Sequence, residues 1–287
     1  MKTVQAGRRW LIAAMCASTL GASAAERADG KVNHLYVLDC GHSTTHDLSA
    51  NWTPGANQGV AYAFADHCYL IRHGDRVFLW DTGIADAIAD KPEGVSAAGG
   101  LLVLKVTRTL ASQLGALGVS PDAVTDIALS HFHSDHAGNA NLFGRARHYV
   151  QRAERDAAFG PDAAKFGFAP ALYGNLANNP TTVLDGDFDV FGDGSVVILS
   201  TPGHTPGHQS LYVRLPKRGG VILSGDLVHL ADNWKTRRVP IRNFDREATL
   251  KSMARIDDAL DELPAELWIN HDAHQSDSLP LAPDPVE

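Results

Sequence analysis

Ten residues, SHFHSDHAGN at positions 130–139, constrain this chain more than any other stretch. Three histidines and an aspartate fall within six positions. They follow DIALS (126–130), which reads as a short buried strand, and they precede Gly138. His131 and His133 are two residues apart, so in an extended backbone their side chains point the same way. Asp135 and His136 come after a turn and can face a second point nearby. That arrangement suits two adjacent cations better than one. Neutral imidazole and carboxylate are the usual ligands of catalytic zinc. A solvated histidine-rich loop is the bland alternative, and the position at the end of a buried strand argues against it.

Three more candidates stand in matching positions, each just after an apolar run. VVILSTPGHTPGH places His204 beyond one strand, VILSGD places Asp226 beyond the next, and LWINHD places His271 beyond the last. Loops at strand ends are where scaffolds mount chemistry. Four strand ends presenting His or Asp are hard to explain by chance.

The rest of the chain supports a layered α/β domain. HLYVLDC (34–40) reads as a strand followed by a polar loop, and CYLIRHGDRVFLWDTG reads as a β-hairpin turning at His73-Gly74-Asp75-Arg76. TRTLASQLGALG is helical, with Gly118 as its stop. SVVILST, SLYVRL and GVILSGD read as three strands with turns between them. Residues 245–263 form the clearest amphipathic helix, with Leu250, Met253, Ile256, Leu260 and Leu263 on one face and Pro264 beyond its end. ELWIN is a final strand. With no linker in view, residues 25–287 read as one domain, with sheets inside and helices outside.

Residues 1–24 differ in character. A basic start with Lys2, Arg8 and Arg9, a short apolar middle and an Ala22-Ser23-Ala24 end read as a secretory signal peptide. The apolar run is too short for the ~20 residues that span a bilayer, so no stable membrane anchor is expected. The expected location is the periplasm or outside the cell. Removing the leader takes three positive charges with it and moves the formal net charge from −8 to −11. A chain this acidic is a poor nucleic-acid binder, because phosphate contacts need Lys and Arg clusters. Cys40 and Cys68 remain, either paired in an oxidising compartment or as two buried thiols. Neither has zinc-ligand spacing, so a metal must rest on His and Asp.

HFHSDH, GHTPGH, SGD and NHD, in this order and at these separations, resemble the metallo-β-lactamase superfamily, and DTG (81–83) matches its early signature. The resemblance covers nearly the whole chain after residue 24. It implies an αβ/βα sandwich of four layers, with two sheets face to face and metals at one edge. It implies two divalent metal ions, zinc by preference. His131, His133 and His204 would hold the first, and Asp135, His136 and His271 the second, with Asp226 bridging both. Asp81 would orient a ligand histidine. His208 is read as a supporting neighbour, and His274 as a surface residue. Two such metals give a hydroxide nucleophile at neutral pH, and Asp135 can accept and pass on its proton. The implied reaction is hydrolysis without a covalent intermediate.

TPGHTPGHQSLYV, WINHD and the loop after the first strand look most like the N-acyl homoserine lactone lactonases, which open the ring of bacterial quorum signals. The expected partner is thus a small ester or lactone, with a homodimer as the compatible assembly. Phosphotriesterase-like and glyoxalase-II-type hydrolases are the alternatives within the fold, and a non-catalytic metal-binding protein is the alternative outside it. Many such lactonases carry a tyrosine three residues after the bridging aspartate, where it hydrogen-bonds the substrate carbonyl. This chain has His229 there. Histidine can donate the same hydrogen bond or protonate a leaving alkoxide. Trp52, Tyr62 and Phe64 from the first loop, and Phe166, Phe168 and Tyr173 from the 160–180 segment, are the candidates for an apolar substrate pocket. His42, His46 and His67 lie in or beside the first loop, which is long enough to reach the site.

Overall fold

The computed structural model describes residue 32 and residues 34–286. The expected leader therefore lies outside the described residues. Thirteen strands among these residues form two sheets. The first contains β1 (His34–Thr45), β2 (Tyr62–His73), β3 (Arg76–Trp80), β4 (Val95–Ala97), β5 (Leu102–Lys105), β6 (Asp126–Ala128), β7 (Arg147–Gln151) and β8 (Thr181–Leu184). Its spatial order is β4-β5-β1-β2-β3-β6-β7-β8. The second contains β9 (Phe188–Asp189), β10 (Val196–Ser200), β11 (Gln209–Leu215), β12 (Gly219–Leu223) and β13 (Ala265–Trp268). Its order is β13-β12-β11-β10-β9.

Side-chain alternation along these strands builds the layers. Tyr69, Ile71, Phe78 and Trp80 of the first sheet pack against Val196, Ile198, Leu211, Val213 and Leu223 of the second. Their strand neighbours face the opposite way. Leu70, Leu79 and Ile127 meet Leu110 and Leu114, which lie on helix α1 (Leu110–Ala116). Ala158, the last residue of α2 (Arg152–Ala158), joins the same cluster. On the far side of the second sheet, Val197, Leu199, Tyr212 and Ile222 meet Met253, Ile256 and Ala259. A short helix, α3 (Ala231–Thr236), precedes the long α4 (Arg246–Glu262), and α5 (Ala273–Ser276) follows β13. The result is helix, sheet, sheet, helix. Strands buried on both faces explain the continuous apolar runs in the sequence.

Helix boundaries follow their caps. Asp245 accepts the Ala248 N–H at 3.0 Å and starts α4. Thr109 accepts from Ser112 N–H at 3.2 Å and starts α1, and Gly118 has a φ of 69° just past that helix's end. The first strand is longer than the sequence suggests. HLYVLDC continues through Thr45, because residues 42–45 pair with β2 on one side and residues 42–44 with β5 on the other. A bulge between Asp39 and His42 lets the strand turn without leaving the sheet.

Cys40 and Cys68 are joined by a disulfide, which settles the choice between a bridge and two separate thiols. It ties β1 to β2 across a sequence separation of 28. Closing a loop of that length is worth about 3–4 kcal/mol in the chain-entropy account. Replacing both cysteines by alanine is expected to lower Tm by roughly 7–14 °C for a domain of this size. Thermal melts of the two proteins check this, and an unchanged Tm would contradict it.

Candidate metal centre

Strand direction brings the candidate residues to one edge. β3 and β6 are parallel neighbours, so Asp81 and the 130–136 segment leave the first sheet together. β10 and β12 both run antiparallel to β11, and β13 runs parallel to β12. His204, Asp226 and His271 therefore leave the second sheet at one end.

Four of the rings turn one nitrogen outward to an oxygen acceptor. His133 Nε2 donates to the Phe166 carbonyl at 2.9 Å. His271 Nδ1 donates to the Ala65 carbonyl at 2.7 Å. His136 Nδ1 lies 3.0 Å from Asp81 Oδ2, and His131 Nδ1 lies 3.1 Å from the Ser130 hydroxyl. A carbonyl can only accept, so the ring nitrogen facing it carries the proton, and the inner nitrogen of a neutral ring is a bare lone pair. The inner nitrogens crowd together. His133 Nδ1 is 2.8 Å from His131 Nε2 and 3.0 Å from His204 Nε2. His136 Nε2 and His271 Nε2 are 3.3 Å apart.

Asp226 lies between the two groups. Its Oδ1 is 3.1 Å from His136 Nε2 and 2.9 Å from His271 Nε2, yet this buried oxygen makes no hydrogen bond of proper geometry. Its Oδ2 faces His204 Nε2 at 3.3 Å and His131 Nε2 at 3.8 Å. His131, His133, His204 and Asp226 form one set with converging ligand atoms, and Asp135, His136 and His271 form a second. Lone pairs and a carboxylate packed this way are unfavourable unless positive charge sits among them. The residues present fit metal ions on that observation alone.

Burial opposes charge on each of these rings. It holds His131 and His204 well below the usual imidazole range and lowers His133 too, so these three are neutral and ready to ligate. His136 suffers the same burial, but Asp226 and Asp81 pull it well above that range. His271, buried but beside Asp226, is raised to about 9. Burial alone would raise Asp226, but His271, His229 and His136 hold it well below the usual carboxylate range.

The neighbours have separate tasks. Asp81 sits at a φ of 58°, a strained conformation for a residue with a Cβ. There its Oδ1 accepts the Ser130 N–H at 2.6 Å while Oδ2 holds the His136 ring. His208 uses both ring nitrogens inside the protein: Nδ1 donates to the Thr201 carbonyl at 3.1 Å, and Nε2 accepts the Asp226 N–H at 2.9 Å. It supports Asp226 and has no nitrogen left for a metal. His229 is buried, with Nε2 3.0 Å from Asp226 Oδ2. His274 is exposed, as expected.

Glu154 went unnoticed in the sequence. From α2 it accepts the Phe132 N–H at 3.3 Å, the Thr205 hydroxyl at 3.0 Å and the Gly207 N–H at 2.8 Å. It thereby joins the loop carrying His131 and His133 to the loop carrying His204. Burial pushes its carboxyl up to about 7, against the Gly207 and Thr205 hydrogen bonds. The approach also explains a motif glycine: a Cβ on Gly207 would fall 2.4 Å from the Glu154 nitrogen. Nothing in QRAERDAAF marks Glu154 out, because its role depends on loops that meet it only in the fold.

The two sets open onto a cavity of about 570 Å³, lined in part by Asp135, His133, His204, Asp226 and His229. Of the six expected pocket residues, Trp52 and Phe166 line it. The other four do not, and each has a physical reason. Tyr62 uses its hydroxyl to accept the Ala273 N–H at 3.0 Å. Phe64 is buried against Trp52, with ring centroids 4.8 Å apart. Phe168 is buried behind His133, at 5.6 Å. Tyr173 is fully buried and donates to the Ala158 carbonyl at 2.9 Å. Its other walls include Leu102, Leu104, Pro206 and the segment from Ile241 to Phe244. That segment was legible in principle: PIRNF puts two large apolar residues in a loop just before a capped helix. His42, His46 and His67 do not line the cavity.

Residues 62–263 match the family model described as the metallo-beta-lactamase superfamily. The chain belongs to that superfamily. It is an enzyme, a metal-dependent hydrolase. It is 31% identical over 263 residues to the N-acyl homoserine lactonase AttM of Azorhizobium caulinodans, covering 87% of this chain and 97% of that protein. It is 29% identical over 261 residues to the N-acyl homoserine lactonase AiiA of Bacillus thuringiensis subsp. kurstaki, covering 88% and 98%. A solved N-acyl homoserine lactone hydrolase, with the product N-hexanoyl-L-homoserine bound at its catalytic metal center, superposes with a TM-score of 0.78 at 28% identity. The match covers 89% of this chain and all of that one.

Proposed function

We propose that this chain is an exported lactonase that opens the ring of N-acyl homoserine lactones and silences quorum signals, using two divalent metal ions, zinc by choice of ligands. The observation that carries the reading is Asp226, whose two oxygens face two separate sets of imidazoles beneath a cavity with aromatic walls. His131, His133 and His204 would hold one ion, Asp135, His136 and His271 the other, and Asp226 would reach both. Such ions would activate water at neutral pH and supply positive charge for the developing oxyanion.

The chain's own residues do the rest. Asp81 and the Ala65 and Phe166 carbonyls fix which nitrogen of each ring faces inward. Asp135, which lines the cavity, takes the proton released during attack and returns it to the leaving alkoxide. His229 lies where it can donate to the lactone carbonyl or to that alkoxide. Trp52 and Phe166 exclude water beside the acyl group. The disulfide supports export, since such bonds persist in oxidising compartments, and among the described residues no helix is long and apolar enough to cross a membrane.

Hydrolysis assayed on a panel of N-acyl homoserine lactone, phosphotriester, thioester and β-lactam tests the reading. The lactone is expected to have the highest kcat/KM. A phosphotriester or thioester preferred over every lactone would overturn the substrate assignment and leave the fold untouched.

A further inference from the structure

The Cys40–Cys68 disulfide stands behind the metal centre. Cys40 falls in the bulge between Asp39 and His42, where the register between β1 and β2 breaks. Strand pairing is interrupted there, and the disulfide joins the two strands at that point. Both cysteines are buried. The turn after β3 rests on Cys40. The Ile84 N–H donates to the Cys40 carbonyl at 3.1 Å. Gly83 has a φ of 63°, and a Cβ on it would fall 2.2 Å from the Cys40 Cβ. The backbone of the turn therefore lies directly on the Cys40 side chain, an approach that glycine allows.

The far side of the same turn grips the segment that carries His131, His133, Asp135 and His136. Thr82 donates twice to the His136 carbonyl, from its N–H at 2.7 Å and from its hydroxyl at 2.9 Å. The Gly138 N–H donates to the Gly83 carbonyl at 2.8 Å. Asn139 Nδ2 donates to the carbonyls of Thr82 at 2.7 Å and Ile84 at 2.9 Å. Asp81, next to Thr82, holds the His136 ring. The turn on Cys40 thus fixes both the backbone and the ring of His136. His131 and His133 have a separate support, since Glu154 of α2 accepts the Phe132 N–H between them.

We infer that the disulfide is an oxidation-dependent latch on the metal centre, with Cys40 as a positioning residue that acts through the turn. Closed, it seats the turn so that His136 meets Asp135 and His271 around one ion. Open, it leaves the bulge of β1 and the turn upon it with more freedom, and that ion is held less tightly. Closing the latch takes two electrons and two protons from the thiols and forms the S–S bond. A small disulfide such as oxidised glutathione takes them up and leaves as two thiols. A chain that oxidises after export would gain its full grip on metal in the oxidising compartment. The inference rests on the two-ion reading of the site and is independent of the substrate.

Zinc titration against a competing chelator tests it, on the oxidised chain and on the Cys40→Ala/Cys68→Ala variant. Alanine keeps the Cβ on which Gly83 rests, so the variant loses the bridge and not the seat. One ion should bind about 10–100-fold more weakly, the scale of groups that orient a metal ligand, and the other should be little changed. Met253→Ala is the control, because it opens a cavity under α4, behind the second sheet, and destabilises the fold away from the turn. It should leave both affinities as they were. The unaltered chain, purified in a phosphine that keeps both thiols reduced, should match the double variant, and oxidised glutathione should restore the tighter binding. This arm decides the matter if the double variant does not fold. Affinities unchanged on loss of the bridge overturn the latch, and so does an equal loss in Met253→Ala, which would trace the effect to global stability. If the oxidised chain binds a single ion, the two-ion reading fails, and the latch stands or falls on whether reduction weakens that ion.

Discussion

Asp226→Asn is expected to lower the affinity of the centre for its metal ions by about 10²–10⁴-fold, with hydrolysis falling alongside. Asp226 is a buried carboxylate whose two oxygens face imidazole nitrogens of both ligand sets at 2.9–3.3 Å. Removing one partner from a buried charge cluster costs about 3–5 kcal/mol, which is the source of that range. Asparagine keeps the shape and one oxygen but loses the charge shared between the sets. His208→Ala should cost less, in the 10–100-fold range of groups that support a ligand. His208 hydrogen-bonds to the centre through the Asp226 N–H and otherwise meets it only by ring contacts with His131 and His204. Metal affinity measured against a competing chelator checks the order. A larger loss for His208→Ala would mean that ligand and neighbour have been exchanged.

His229→Ala is expected to reduce kcat and kcat/KM together by 10²–10⁴-fold, the usual scale of general acid–base assistance, with KM little changed. The residue lines the cavity, and its Nε2 lies 3.0 Å from Asp226 Oδ2. Were Asp226 to hold an ion, the ring would be free to serve the substrate. His229→Tyr should retain much of the activity, since a phenol donates a comparable hydrogen bond. Metal content separates two roles. If it is constant while kcat falls, His229 acts on the substrate. If it falls in His229→Ala, His229 belongs with the metal ligands and its assignment as a proton donor is wrong.

The chain announces its metal centre far better than its pocket. Metal ligands need particular atoms at particular strand ends, and HFHSDH, GHTPGH, SGD and NHD carry that requirement in a few letters each. All seven residues lie at one edge, where their ligand atoms converge as His131, His133, His204 and Asp226 and as Asp135, His136 and His271. Alternating burial made the strands legible as well, because Phe78 and Trp80 face one core while Leu79 faces another. Pocket walls obey no such grammar. Phe168 and Tyr173 look like any aromatic residues of a loop, and whether they meet substrate or brace His133 and α2 depends on how the 160–180 segment folds. PIRNF shows Ile241 and Phe244 as apolar loop residues, but the backbone bonds to Asn51 and His204 that bring them to the cavity appear only in the fold. Glu154 was hidden for the same reason. The register shift that carries β1 on to Thr45 was hidden too, since HSTT reads as polar loop until β5 is seen beside it.

The central claim is a two-ion centre that hydrolyses lactones, and a zinc titration of the metal-stripped chain tests it most directly. Hydrolysis of N-hexanoyl-homoserine lactone is followed by proton release as Zn²⁺ is added, with bound metal measured on the same samples. Activity is predicted to climb until about two equivalents are bound and then level off. Full activity at one bound equivalent, or two bound equivalents without lactone hydrolysis, would contradict the account.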